Sequence, residues 1–340
     1  MKHGGNIYKV AKQLKCKSSE ITDFSSNINS FHPKIDITLT NSMLVPYADG
    51  SYKSLKKTIA KKYTLKKSQI ALYNGATSAI FELFKTLKQK NVYLYAPLYG
   101  EYEKAAKLSK KKIYKVNRFK NIYTKPKKNS IVVFVNPSTP DGRYYKLKKL
   151  FKIWKKQQCC VVLDESFLEF EALKSFRNQI ESYNKLYILQ SFTKFNACAG
   201  VRVGAIFSSK KNIAKLHTPL WNLSSFDVNY LTLRLQDKKF QTKSKKLHKK
   251  HKEELYKILK KSKLFTKIYK TDTNFFLVKS PQAKKIYKHL YKHKILVRKC
   301  KSFDFLTNSY LRFAVKDSSS HEKLRRAFKE FSLKLQTKIL

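Results

Sequence analysis

Acidic side chains are scarce: 22 Asp and Glu stand against 74 Lys and Arg in 340 residues, a formal net charge of +52. Arginine is scarcer still, with nine in the whole chain. Specific contacts to phosphates and bases favour the guanidinium fork, and the lysines are spread along the chain without forming one stripe or tail. The excess therefore reads as solvated lysine-rich faces, and no helix-turn-helix, zinc-finger or RNP signature contradicts that. No specific nucleic-acid partner is expected, although the field would still draw anionic small molecules inward. Glycine and proline number eight each, and no Pro/Gly/Ser-rich linker separates parts of the chain. No run approaches the ~20 apolar residues of a membrane span, and MKHGGNIYKVAKQLK has no apolar stretch like a signal peptide. The five cysteines, Cys16, Cys159, Cys160, Cys198 and Cys300, make no CxxC pair or zinc spacing. A reduced cytoplasmic protein with no structural metal is the expectation.

Apolar residues are plentiful, at 42% with 23 Phe, which suits a folded globule. Between about residues 70 and 208, short apolar runs alternate with helical patterns. NVYLYAP (91–97), SIVVFV (130–135), CCVVLD (159–164), KLYILQ (185–190) and VRVGAIFS (201–208) read as strands. Ile80, Leu83, Phe84 and Leu87 share a helical face, as do Leu147, Leu150, Phe151 and Trp154. Near-continuous apolar strands between amphipathic helices imply an α/β domain whose mostly parallel sheet is covered on both faces. After Asn222-Leu223-Ser224-Ser225 the pattern changes. Residues 228–263 read as one long lysine-rich helix, and NFFLVK (274–279), ILVRKC (295–300) and SYLRFAV (309–315) alternate with helices as a smaller α+β domain. The expected organisation is an N-terminal segment (1–35), a large domain (36–225) and a small C-terminal domain (226–340).

Ligands of open α/β sheets gather at the C-terminal ends of the strands. Asp164 closes one apolar run there, and Lys194 follows another within SFTKFNACAGVRVG (191–204). Asn74-Gly75-Ala76-Thr77 opens the helix expected over 77–88, where backbone amides can meet an anion. Ser191, Thr193 and Arg202 could complete an oxyanion cage. Taken singly, each has an ordinary reading as a helix start, an N-cap, a surface lysine or an ion pair. Their joint order suggests a phosphate-bearing cofactor held by covalent and ionic bonds.

At these residues the chain resembles the fold-type I pyridoxal-5′-phosphate enzymes of the class I/II aminotransferase family, in the branch of threonine-phosphate decarboxylases and histidinol-phosphate aminotransferases. The resemblance runs from His3 to about Phe331, and its most specific piece is S-x-T-K with G-V-R-V-G (191–194 and 200–204). It implies the aspartate aminotransferase-like fold with pyridoxal 5′-phosphate bonded to Lys194. Ser191, Arg202 and the amides of Ala76 and Thr77 after Gly75 would hold the phosphate, with Thr193 assisting. Asp164 would face the pyridine nitrogen, and Tyr99 in PLYGEY would stack on the ring. Tyr47 in PYADG would reach the phosphate of a neighbouring subunit, which implies a homodimer. Arg312 in YLRFAV would clamp the substrate α-carboxylate, and Arg298 in ILVRKC would help bind the substrate.

The chain departs from the family at two places. NPNNPTG stands here as NPSTPDG (136–142), so Thr139 replaces an asparagine that touches the cofactor's ring oxygen. DESF carries Phe167 where typical transaminases have a tyrosine, a phenylalanine usual in the decarboxylase branch. HGGNIY (3–8) and DFSSNIN (23–29) resemble that branch too, which would place His3, Gly4 and Asn27 along the substrate. The leading expectation is decarboxylation of a phosphorylated amino acid such as L-threonine O-3-phosphate to aminopropanol phosphate, as in cobalamin biosynthesis. An aminotransferase for histidinol phosphate or another amino acid is the runner-up, and an idle basic binding protein of the same fold is a third reading.

Overall fold

The computed structural model describes residues 5–34 and 37–336. The chain forms two compact units. One comprises His32–Ser138 and Tyr144–Thr242; the other comprises the stretch ending at Phe31, the short piece Thr139–Arg143, and everything from Lys243 on. A two-residue strand, β1 (Thr22–Asp23), precedes the seven strands of the main sheet. These are β2 (Ile70–Asn74), β3 (Asn91–Ala96), β4 (Lys112–Asn117), β5 (Ile131–Val135), β6 (Cys160–Asp164), β7 (Leu186–Ser191) and β8 (Val203–Phe207). Their order is β2-β8-β7-β6-β5-β3-β4, and β8 alone runs antiparallel to its neighbours.

Every residue of β5, β6, β7 and β8 is buried. Such strands cannot alternate apolar with polar, because both faces of the sheet are covered. Tyr95, Phe134, Leu163 and Trp154 pack on one face, and Trp154 Nε1 donates to the Tyr95 hydroxyl at 2.9 Å. Leu83, Phe84, Leu94, Val133 and Val162 pack on the other. The helix Gly75–Thr86 follows β2 without a loop and buries Ala79, Ile80, Leu83 and Phe84 at helical spacing. It begins two residues earlier than expected because Gly75 takes φ +75°, a conformation open to glycine, and turns the chain at once.

The smaller unit holds β9 (Lys267–Ile268), β10 (Phe275–Lys279), β11 (Ile295–Leu296), β12 (Arg298–Lys299) and β13 (Tyr310–Ala314). Four of them form an antiparallel sheet, β12-β13-β10-β9, while β11 pairs in parallel with β1. Its core gathers Phe24, Leu255, Leu290, Phe313, Leu324 and Phe328. The single strand expected over 295–300 is thus two short ones in different sheets.

The long helix expected over 228–263 is also two, Ser225–Gln236 and Lys238–Lys261. Asp237 lies between them, and its carboxylate accepts from the Phe240 amide at 2.8 Å, starting the second helix as an N-cap does. Val228, Leu231 and Leu235 of the first helix enter the core of the larger unit. The boundary between units therefore falls later in the chain than residue 225.

Gly204 of β8 runs against the first turn of the helix Gly75–Thr86. A Cβ there would lie 2.4 Å from the Ala76 nitrogen and 2.7 Å from its Cα. Those neighbours are backbone and cannot swing aside. Gly204→Ala is therefore expected to destabilise the protein by about 1–3 kcal/mol, as overpacking does. Urea unfolding checks this, and an unchanged midpoint would contradict so close an approach.

Candidate active site

Three chain segments of the larger unit converge at the ends of its strands: the close of β6, the close of β7 with the loop beyond it, and the start of the helix Gly75–Thr86. Ser191 ends β7, so its side chain and those of Thr193 and Lys194 emerge together. Lys194 Nζ donates to Thr193 Oγ1 at 3.1 Å and to Ser191 Oγ at 3.3 Å. The two hydroxyls bond each other at 2.9 Å. Ser191 and Thr193 are buried and Lys194 is half-buried, so this amine is held by neutral oxygens where most lysines here are solvated.

Gly75 donates its N–H to the Arg202 carbonyl at 2.9 Å, which fixes the helix start beside the strand carrying Arg202. The guanidinium lies over Gly75: a Cβ on that residue would meet Arg202 Nη2 at 2.7 Å. Arg202 Nη1 donates to the Ala199 carbonyl at 2.9 Å. The helix has no side-chain cap from Asn74. The first amides of a helix lack intrahelical acceptors and carry the positive end of its dipole. The amides of Ala76 and Thr77, with Arg202, Ser191 and Thr193, thus make a donor set suited to a phosphate. Tyr99 is half-buried with its hydroxyl 3.5 Å from Thr77 Oγ1, and burial raises the pKa of that phenol.

Asp164 closes β6. Its Oδ1 accepts from the Ser166 amide at 2.9 Å and its Oδ2 from the Tyr102 hydroxyl at 2.8 Å. Ser166 Oγ in turn accepts from the Ser191 amide at 3.0 Å, tying the two strand ends together. The next residue, Glu165, points to other work. Ser175 and the Phe176 amide donate to its carboxylate, and Arg177 lies 3.5 Å away. Burial pushes the Glu165 carboxyl up, and the Arg177 charge opposes that.

Tyr102 is the residue that sequence reasoning missed. It is fully buried, and burial followed by the Asp164 charge pushes its phenol well above the usual range. It therefore stays a proton donor to Asp164. Its place three positions after Tyr99 and three before Ala105 looked like helical core, and only its partner distinguishes it.

The smaller unit presents a second constellation. Arg312 on β13 is 6% exposed, and Nη1 donates to Thr139 Oγ1 at 3.0 Å while Nη2 donates to the Ser25 carbonyl at 3.1 Å. The guanidinium carbon sits 4.9 Å from the Phe275 ring centre. Among the described residues no carboxylate pairs with Arg312, and its Nε has no hydrogen-bond partner. Burial, first of all, drives its pKa down to about 10. Arg298 stands directly across the ladder from Arg312, equally buried, with Nη2 donating to Ser302 Oγ at 2.6 Å. Two buried guanidiniums side by side are costly unless an anion joins them.

Asn27 lies in the same unit: its carbonyl accepts from Asn274 at 2.8 Å, and its buried Oδ1 has no partner. Thr139 therefore meets Arg312 within this unit. His3 and Gly4 lie outside the described residues, although Gly5 donates to Ser25 Oγ at 2.8 Å. Tyr47 is on the surface, 76% exposed, with its ring stacked on Trp221 at 4.2 Å. Phe167 is buried behind Asp164 in sequence. Asn136, the first residue of the NPSTPDG loop, spends its amide on the backbone of Tyr145 and so braces the loop.

Known proteins are similar to this chain in sequence and in fold. Residues 19–331 match the family of class I and II aminotransferases. The adenosylcobalamin biosynthesis bifunctional protein CobDQ of Leptospira interrogans is 30% identical over 96% of this chain, which spans 40% of that longer protein's length. The solved histidinol-phosphate aminotransferase of Clostridium acetobutylicum is 26% identical, with a TM-score of 0.78 over 91% of this chain and 98% of that one. The solved L-threonine-O-3-phosphate decarboxylase of Porphyromonas gingivalis, at 17% identity, shares the fold, with a TM-score of 0.72 over 97% and 96% of the two chains. With a family match over most of its length, a mostly parallel sheet and a strand-end lysine beside a phosphate-type donor set, the chain belongs to the class I and II aminotransferase family of pyridoxal-phosphate enzymes.

Proposed function

We propose that this enzyme decarboxylates a phosphorylated amino acid, with L-threonine O-3-phosphate as the candidate substrate and aminopropanol phosphate and CO₂ as products. The observation that carries the reading is the buried pair Arg298 and Arg312, where Arg312 has no carboxylate partner among the described residues. A small substrate bearing both a carboxylate and a phosphate supplies two anions of the kind such a pair takes up. The Leptospira relative, named for adenosylcobalamin biosynthesis, supports the same reading.

The donor set of the larger unit fits pyridoxal phosphate. Lys194 is the amine that carries it, the amides of Ala76 and Thr77 with Ser191, Thr193 and Arg202 hold its phosphate, and Tyr99 supports its ring. When bound, the cofactor supplies a cationic ring that takes up the electron pair left as a bond at the substrate α-carbon breaks. Asp164 would face the ring nitrogen, and the Tyr102 and Ser166 donors hold its carboxylate in place. Arg312, aligned by Thr139 and the Ser25 carbonyl, takes the α-carboxylate, while Arg298 and the Asn27 amide serve the rest of the substrate. Once the bond from Cα to the carboxyl carbon breaks and CO₂ leaves, Lys194 Nζ, freed from the cofactor by the incoming substrate amine, or water would deliver a proton to Cα. A second reading is transamination, supported by the 26% identical histidinol-phosphate aminotransferase. There Lys194 would instead take the proton from Cα.

We also propose a homodimer in the cytoplasm. Leu44, Val45, Tyr47, Leu220 and Trp221 are exposed apolar side chains of the larger unit, suited to covering by a second copy. Five free thiols, four of them buried, suit a reducing compartment. No described helix is long and apolar enough to cross a membrane.

Mass spectrometry of a reaction with pyridoxal phosphate, L-threonine O-3-phosphate and 2-oxoglutarate tests the reaction. Aminopropanol phosphate is the expected product. Arg312→Lys should lower kcat/KM by about 100-fold or more, since it breaks a buried hydrogen-bonded charge contact. Glutamate formed together with a keto acid, and no amine product, would hand the assignment to an aminotransferase. Sedimentation should return twice the 39.9 kDa chain mass, and a monomer at micromolar concentration would refute the dimer.

A further inference from the structure

Away from these groups, the smaller unit brings two histidines and a glutamate together on its surface. His289 lies in the helix Ala283–Lys292, and His293 follows as its C-cap. Their separation of four places the rings on one face one turn apart, with centres 4.4 Å from each other. Glu330, in the helix Ser318–Gln336, reaches across so that its Oε2 is 3.3 Å from His293 Nε2. One nitrogen from each ring and one carboxylate oxygen all lie within 4.8 Å of one another.

The cluster has the second layer that metal-binding histidines usually show. His289 Nε2 lies 2.8 Å from the Ala327 carbonyl. A carbonyl can only accept, so that nitrogen carries the proton and Nδ1 keeps a lone pair for a ligand bond. The Phe331 ring packs 5.2 Å from His289 and limits its rotation. His293 and Glu330 are partly exposed, at 32% and 50%, so both can close the remaining gap toward an ion.

We propose that His289, His293 and Glu330 bind one divalent transition-metal ion that ties the two helices of the smaller unit together. Two imidazoles and a carboxylate are ligands of Zn²⁺ and its neighbours. Mg²⁺ and Ca²⁺ are disfavoured because these hard cations take oxygen ligands and two of the three groups here offer imidazole nitrogen. Lys334 beside the cluster favours a strongly coordinating ion over one held by charge alone. Solvent completes the coordination, which makes the site a clamp and leaves it independent of the proposed reaction.

Calorimetric titration of the pyridoxal-phosphate-loaded protein with ZnCl₂ and with NiCl₂ tests the site. One ion per chain should bind, with the melting temperature raised on saturation. His293→Asn and Glu330→Gln should each weaken that binding by more than about tenfold, the scale on which metal ligation is lost. Both residues are exposed enough for the variants to fold, which an unchanged metal-free melting temperature would verify. Absence of saturable binding below about 1 mM, or binding undiminished in both variants, would overturn the proposal; the second result would place the metal elsewhere on the chain.

Discussion

The hydrogen bond from the Gly75 N–H to the Arg202 carbonyl is the constraint on which the larger unit's site depends. It joins the end of β2 to the start of β8, and β8 is the one strand that runs against the rest of the sheet. That reversal carries Arg202 to the strand ends where Asp164 and Ser191 stop, and it sets a helix N-terminus beside a guanidinium. Two glycines make the approach possible: Gly75 by its positive φ, and Gly204 by lacking a Cβ where the Ala76 backbone passes. The proposed phosphate site, of main-chain amides and one arginine, would be rigid because the strand ends hold its parts. On the adjoining loop, the hydroxyls of Ser191 and Thr193 accept from Lys194 Nζ and help hold it in place.

The smaller unit answers a different electrostatic problem. Two of its arginines, Arg298 and Arg312, occupy apolar strands in a chain with few acids, and no carboxylate neutralises Arg312 among the described residues. The cost is offset partly by Thr139, the Ser25 carbonyl and the Phe275 ring. The rest is left for a ligand. A guanidinium kept in this way is charged at physiological pH and poorly hydrated, so it binds an anion more strongly than a surface lysine does. The same logic explains why a net charge of +52 leaves the chemistry to a handful of residues. Most lysines are solvated and contribute a general field.

The strands of the main sheet were legible because continuous apolar runs cannot be solvated, and Asp164 and Lys194 were legible because they interrupt such runs. The antiparallel sense of β8 left no mark on the sequence, since a strand buried on both faces reads alike in either direction. Asp237 was overlooked as a helix break because leucines suited to a helix, such as Leu231 and Leu233 before it and Leu247 and Leu255 after it, stand on both sides. Tyr102 was hidden for a similar reason: a buried tyrosine at helical spacing looks like core until its hydroxyl is seen on Asp164. Thr139 was expected to serve both the cofactor ring and the substrate, and its contact with Arg312 is one that spacing alone could not reveal.

The central claim is that one lysine among dozens carries the cofactor. Reduction of the pyridoxal-phosphate-loaded protein with borohydride, followed by peptide mapping, tests it most directly. The account predicts a single stoichiometric pyridoxyl adduct on the peptide containing Lys194, lost in Lys194→Ala. Adducts scattered over many lysines, or a stoichiometric one elsewhere, would contradict it.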